Sequence, residues 1–165
     1  MNRTTIATNR KVSEEVINAL TESPLFNALK PPELRTVAKH MNLLEVDKDK
    51  VLFNEGDKGD YICFVVDGTI DIYKEASPGK SAVIASLTKG RSIGEMAVID
   101  SFARSATAKA ITKASYLTLT QGDFDAILKE YPEIGIKILK GISRLLSLNL
   151  RMTSFRLADH MLPVS

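Results

Sequence analysis

Several features that would point directly to a function are scarce in this chain. A single cysteine, Cys63, excludes an intrachain disulfide. It sits inside the apolar run Tyr61–Val66, where a buried, inert thiol is expected. A lone thiol fits a reducing compartment, so the cytoplasm is the expected setting. The two histidines, His40 and His160, have no metal-spaced or catalytic neighbours, so neither a metal site nor an enzyme is expected. Apolar runs extend only a few residues, too short to span a membrane, and the polar start MNRTTIATNRK lacks the apolar core of a signal peptide. A net charge of +2 is too small to argue for nucleic acid. There is no internal repeat and no low-complexity segment.

What remains is an ordinary globular composition, 44% hydrophobic and 25% charged over 165 residues, enough for one domain with a real core. Residues 1–11 read as a mobile arm and 12–42 as N-terminal helices. Ser13 is a helix cap followed by Glu14 and Glu15 in the positive first turn, and Pro31-Pro32 suits the start of a second helix. Its stripe Leu34, Val37, Ala38 and Met41 has helical spacing. From about residue 43 to 120 the pattern changes to short apolar runs separated by turn signals. Asp67-Gly68, between Tyr61–Val66 and Thr69–Lys74, predicts a hairpin. About eight short strands without intervening long helices predict a sandwich or barrel. Residues 121–165 return to helical spacing. Tyr131-Pro132 ends one short helix, and from Pro132 to Leu162 no proline intervenes, which allows a helix of about 45 Å. Gly141 interrupts it, either as a hinge or where another element packs closely. Two apolar seams run along it. One holds Ile138, Leu145, Leu148, Met152 and Phe155, and the other Leu139, Ile142, Leu146, Leu150 and Leu157. One seam can cover the domain's own core; the second wants a partner, most simply the same helix of a second copy.

The chemistry concentrates in Gly94–Ala106. Gly94 permits close backbone approach. A helical turn over Glu95–Ile99 presents N–H groups that favour an anion. Arg104 offers a fork of donors matched to phosphate oxygens, Ser105 adds a hydroxyl and a backbone N–H, and Glu95 supplies an acceptor. Together these suit a ligand with one phosphate and one sugar hydroxyl. The plainer reading is a surface Glu95–Arg104 ion pair, worth about 0–1 kcal/mol.

Gly94-Glu95-Met96-Ala97, followed by Arg104-Ser105-Ala106-Thr107, resembles the phosphate-binding cassette of the cyclic nucleotide-binding domain family, which includes the catabolite activator, the regulatory subunits of protein kinase A and the cyclic nucleotide-gated channels. Glu95 and Arg104 stand nine residues apart, as in binding-competent members, and the run Glu55–Tyr61 with Val66-Asp67-Gly68 is similar to the family's glycine-marked turns. Ile93 and Ala103 depart from the common aromatic and proline without removing a polar contact. The resemblance implies an α+β, mainly β fold: an eight-stranded antiparallel β-roll of the jelly-roll type, with N-terminal helices and a long C-terminal helix serving as lid or dimer element. It implies that Glu95 accepts the ribose 2′-hydroxyl and that Arg104 neutralises the cyclic phosphate. Gly94, Met96, Ala97, Ser105 and Ala106 complete the cradle. Ile72, Ile84 and Leu87 fall where members line the apolar base pocket, and plain core is the other reading of each.

For the base, Thr153-Ser154 looks like the adjacent Thr and Ser that reach adenine in the catabolite activator. Ungapped counting from Pro132 places that position on Asn149 instead, and Arg151 is a candidate stacking lid. The plainer reading of each of these four is an ordinary solvent-facing helix residue. The expectation is a non-catalytic sensor for cAMP, with cGMP as the alternative ligand, a homodimer through the last helix, and an effector this sequence does not identify. A protein-docking module of the same fold is the competing class. A DNA-binding regulator is not expected, because only about three residues follow the long helix before Ser165.

Overall fold

The computed structural model describes residues 14–77 and 79–161. The expected arm 1–11, the Ser13 cap and the end of the last helix at Leu162 lie outside them. Helix α1 (Glu14–Glu22), a 3₁₀ turn (Pro24–Phe26) and α2 (Pro31–Lys39) precede the strands. Strands β1 (Asn42–Val46), β2 (Val51–Phe53), β3 (Tyr61–Asp67), β4 (Ile70–Ser77), β5 (Lys80–Leu87) and β6 (Ser92–Ile93) follow. After α3 (Ala97–Asp100) come β7 (Thr107–Ala110), β8 (Ala114–Thr120), α4 (Gln121–Glu130) and α5 (Pro132–His160).

The strands form two four-stranded antiparallel sheets, ordered β1-β8-β3-β6 and β2-β7-β4-β5. This is the eight-stranded antiparallel roll expected from the sequence. The Asp67-Gly68 hairpin is corrected by the pairing. β3 pairs with β6 and β8, whereas β4 pairs with β5 and β7, so Asp67-Gly68 is a corner that carries the chain between sheets. The true hairpin is β4–β5, closed at Ser77↔Lys80. A turn dipeptide fixes a reversal of direction; which strands then pair depends on the sheet each must help bury.

Strand β3 explains how one sheet serves two cores. Ile62, Phe64 and Val66 face the helices, and Tyr61, Cys63 and Val65 face the roll interior. All six are buried, so the strand reads as a continuous apolar run. Burial pushes the Cys63 thiol up to about 12, against a pull from Arg104, which leaves it inert.

α5 has two distinct halves. In the first, Ile134, Ile138 and Ile142 are buried against the N-terminal helices, the 3₁₀ turn and α4. Lys137 Nζ donates to Glu33 of α2 at 2.6 Å, and that hydrogen bond holds the Glu33 carboxyl below its ordinary range. A Cβ at Gly141 would lie 2.0 Å from Leu25 O, so Gly141 is a close-packing glycine in an unbroken helix. Beyond Ser147 the helix projects, and Leu148, Leu150, Met152, Phe155 and Leu157 are all at least half exposed. No helix among the described residues is long and apolar enough to cross a membrane.

Candidate functional site

The β6–β7 connection, residues 94–106, carries α3 and packs against β3. Gly94 has φ +89, a conformation that L side chains rarely adopt. A Cβ there would meet Arg104 Nη1 at 2.1 Å and Tyr61 O at 3.0 Å. The glycine therefore makes the seat into which the guanidinium fits. α3 follows as a single turn, ended by Ser101 in the left-handed region (φ 57), whose N–H returns to Ala97 O. Asp100 then accepts from Phe102 N–H at 3.0 Å. The helix rests on Gly59, where a Cβ would lie 2.5 Å from Ala97 Cβ and 2.7 Å from Phe102 O.

Arg104 is held on both main-chain sides. Its N–H donates to Asp57 O (2.8 Å), and its carbonyl accepts from Gly56 N–H (2.9 Å). The side chain is only 4% exposed and lies over the rings of both Phe53 and Tyr61, 4.2 and 4.3 Å from their centroids. Nη2 donates to Tyr61 O at 2.8 Å, while Nε and Nη1 have no hydrogen-bond partner among the described residues. Glu95, 8% exposed, is in the same condition at Oε2. Burial raises the Glu95 pKa, opposed by its own backbone N–H and by the Arg104 charge. A surface ion pair is therefore not what the fold builds. It builds two buried, opposite charges whose free hydrogen-bonding atoms are costly without partners.

Both charges line a cleft of about 220 Å³. Gly94, Glu95, Met96, Ala97, Arg104, Ser105 and Ala106 all contribute to its wall. The site offers charged donors for an anion, a carboxylate oxygen for a hydroxyl, and apolar surface from Phe53 and Ile93. The base-pocket residues are placed differently. Ile72 and Leu87 belong to the roll core beside Phe53 and Ala106, and Ile84 is 48% exposed on β5. Asn149, Arg151, Thr153 and Ser154 lie on the exposed half of α5. None of these seven lines the cleft.

Sequence reasoning did not single out Phe53, Tyr61 or Gly59. Gly59 and Tyr61 lie in the turn run that carries the resemblance, but their roles arise only when β2, β3 and α3 meet.

A model of the cyclic nucleotide-binding domain matches residues 43–131. A Cyclic AMP receptor protein of Thermus thermophilus is 28% identical over 136 residues, 81% of this chain and 63% of that protein. A lysophospholipase nte1 of Neurospora crassa is 30% identical over 135 residues, 82% of this chain but 9% of that protein. The chain thus spans less than two thirds of either relative. Among solved structures, a cyclic nucleotide-binding domain from Methylobacillus flagellatus superposes with a TM-score of 0.80 at 28% identity, covering 92% of this chain and 85% of that one.

Proposed function

The chain belongs to the cyclic nucleotide-binding domain family, and from that premise we propose that its cleft binds cAMP and that the chain works as a non-catalytic sensor. The observation that carries this reading is a pair of buried groups on one cleft with no hydrogen-bond partner among the described residues: Arg104 Nε and Nη1, and Glu95 Oε2. An anionic cyclic phosphate satisfies the first and a ribose 2′-hydroxyl the second, with Ser105 and the backbone of residues 94–97 completing the cradle. The cleft, about 220 Å³, is smaller than the ~300–1,000 Å³ usual for whole ligands. It suits the phosphate and sugar, and leaves the base at the mouth. cAMP is favoured over cGMP because the Thermus relative is named for it.

A base at the mouth gives α5 something to contact that differs between the free and bound states, which is what a population shift requires. The distal half of α5, with Asn149, Arg151, Thr153 and Ser154, is the part free to answer. Its two exposed apolar faces suit a second copy of the chain and an effector. The proposed setting is the cytoplasm. The relatives' other activities are not carried over, since the lysophospholipase match covers 9% of that protein. Calorimetric titration with cAMP and cGMP tests the reading. Micromolar or tighter binding is expected. Failure of both nucleotides below high micromolar would leave a protein-docking module as the better account.

A further inference from the structure

Outside the cleft wall, one polar network touches the same segment from behind. Lys74 Nζ, on β4, donates to Ser105 O at 2.8 Å and forms an ion pair with Glu55. Glu55 is itself tied down: its N–H donates to Thr107 Oγ1 at 2.9 Å, and its second carboxylate oxygen accepts from Glu75 N–H at 3.4 Å. Neither Lys74 nor Glu55 lines the cleft, whereas Ser105 and Ala106 do.

The Ser105 carbonyl and the Ala106 N–H belong to one peptide unit. That peptide bond is trans, so the two groups point to opposite sides of the chain. An ammonium ion on the carbonyl oxygen draws electron density along the planar unit and makes the N–H at its other end a stronger donor. This is the cooperative strengthening expected where hydrogen bonds polarise one another, about 10–30% per bond. We propose that Lys74 is a positioning residue of the anion site: it fixes and polarises the Ser105–Ala106 peptide so that its N–H meets the ligand phosphate. Glu55, paired with Lys74, draws off part of its charge. The inference rests on the cleft being a cyclic nucleotide site.

Two readouts on the full chain test it. One is the Ala106 amide proton shift by NMR in the free protein; the other is cAMP affinity by calorimetry. Lys74→Met moves the Ala106 amide proton upfield and weakens cAMP by roughly threefold, the size of one weakened charge-assisted bond. Lys74→Arg restores both. Glu55→Gln removes the competing negative charge, so it leaves affinity unchanged or tighter, where a simple structural brace requires it to weaken like Lys74→Met. Lys74 is half-exposed, so its variants keep the fold; Lys74→Gln repeats the test with a polar replacement. An unmoved Ala106 amide with unchanged affinity in Lys74→Met overturns the proposal, as does equal weakening in Glu55→Gln. Failure of the wild-type chain to take up either nucleotide defeats the site reading itself, and the proposal with it.

Discussion

Replacing Gly94 by alanine is the sharpest perturbation of the seat. Two costs combine. The backbone at φ +89 is strained for any L side chain, by about 1–2 kcal/mol. The new Cβ would also sit 2.1 Å from Arg104 Nη1, so the guanidinium has to leave. Leaving breaks the 2.8 Å hydrogen bond to Tyr61 O, a charged bond worth about 1.5–3 kcal/mol, and loosens the stacking on Phe53 and Tyr61. The expected loss is about 3–5 kcal/mol, or roughly 6–20 °C in Tm for a domain of this size. Gly79 supplies the control, since it has φ +76 with no atom of the described residues beyond its chain neighbours within 4 Å of its Cβ position. Gly79→Ala therefore carries the strain alone, about 1–2 kcal/mol. Urea denaturation of both variants separates the two costs, and calorimetry reads their effect on cAMP. Equal destabilisation by the two, with nucleotide affinity intact in Gly94→Ala, would refute the account of the Arg104 seat.

Glu95→Gln has opposite effects on stability and on binding. Burial raises the carboxyl pKa in the folded chain, so the folded state holds the proton more tightly than the unfolded one. Stability is thus highest with the carboxyl neutral and falls as pH rises from the ordinary carboxylate range through the raised folded value. At pH 7 the neutral variant melts higher than the wild type and binds cAMP more weakly; a lower Tm contradicts the assignment. Gly141→Ala improves helix propensity by about 1 kcal/mol, yet its Cβ meets Leu25 O at 2.0 Å, so urea melts report a net loss of about 2 kcal/mol. A gain would restore the hinge. On α5, Leu150→Glu with Phe155→Glu is expected to convert the proposed dimer to a monomer in sedimentation equilibrium, and a monomeric wild type rejects the α5 interface.

The parts of this molecule legible in sequence are those set by local rules. Pro132 opens α5, and Leu34, Val37 and Ala38 of the expected stripe are the buried residues of α2. The roll was legible as a count of short strands, but Asp67-Gly68 misled on pairing, because sheet membership depends on contacts far along the chain. The Gly94–Ala106 segment was legible as chemistry: all seven residues named for its cradle meet at one cleft. What spacing could not convey was burial. An arginine nine residues from a glutamate is as compatible with a solvated pair as with two desolvated charges. The difference lies in Phe53 and Tyr61, which arrive from other strands. The residues offered for a base were less legible: none of the seven lines the cleft, and four of them lie on the exposed half of α5.

The most direct test of the account is a calorimetric titration of cAMP against the wild-type chain and Arg104→Gln, with folding checked by thermal melting. Losing the partner of a buried charged hydrogen bond costs about 2–5 kcal/mol, so the variant binds at least about 30-fold more weakly than a wild type that binds in the micromolar range or tighter. A folded Arg104→Gln variant that binds cAMP within threefold of wild type would contradict it, as would a wild type that takes up no cyclic nucleotide.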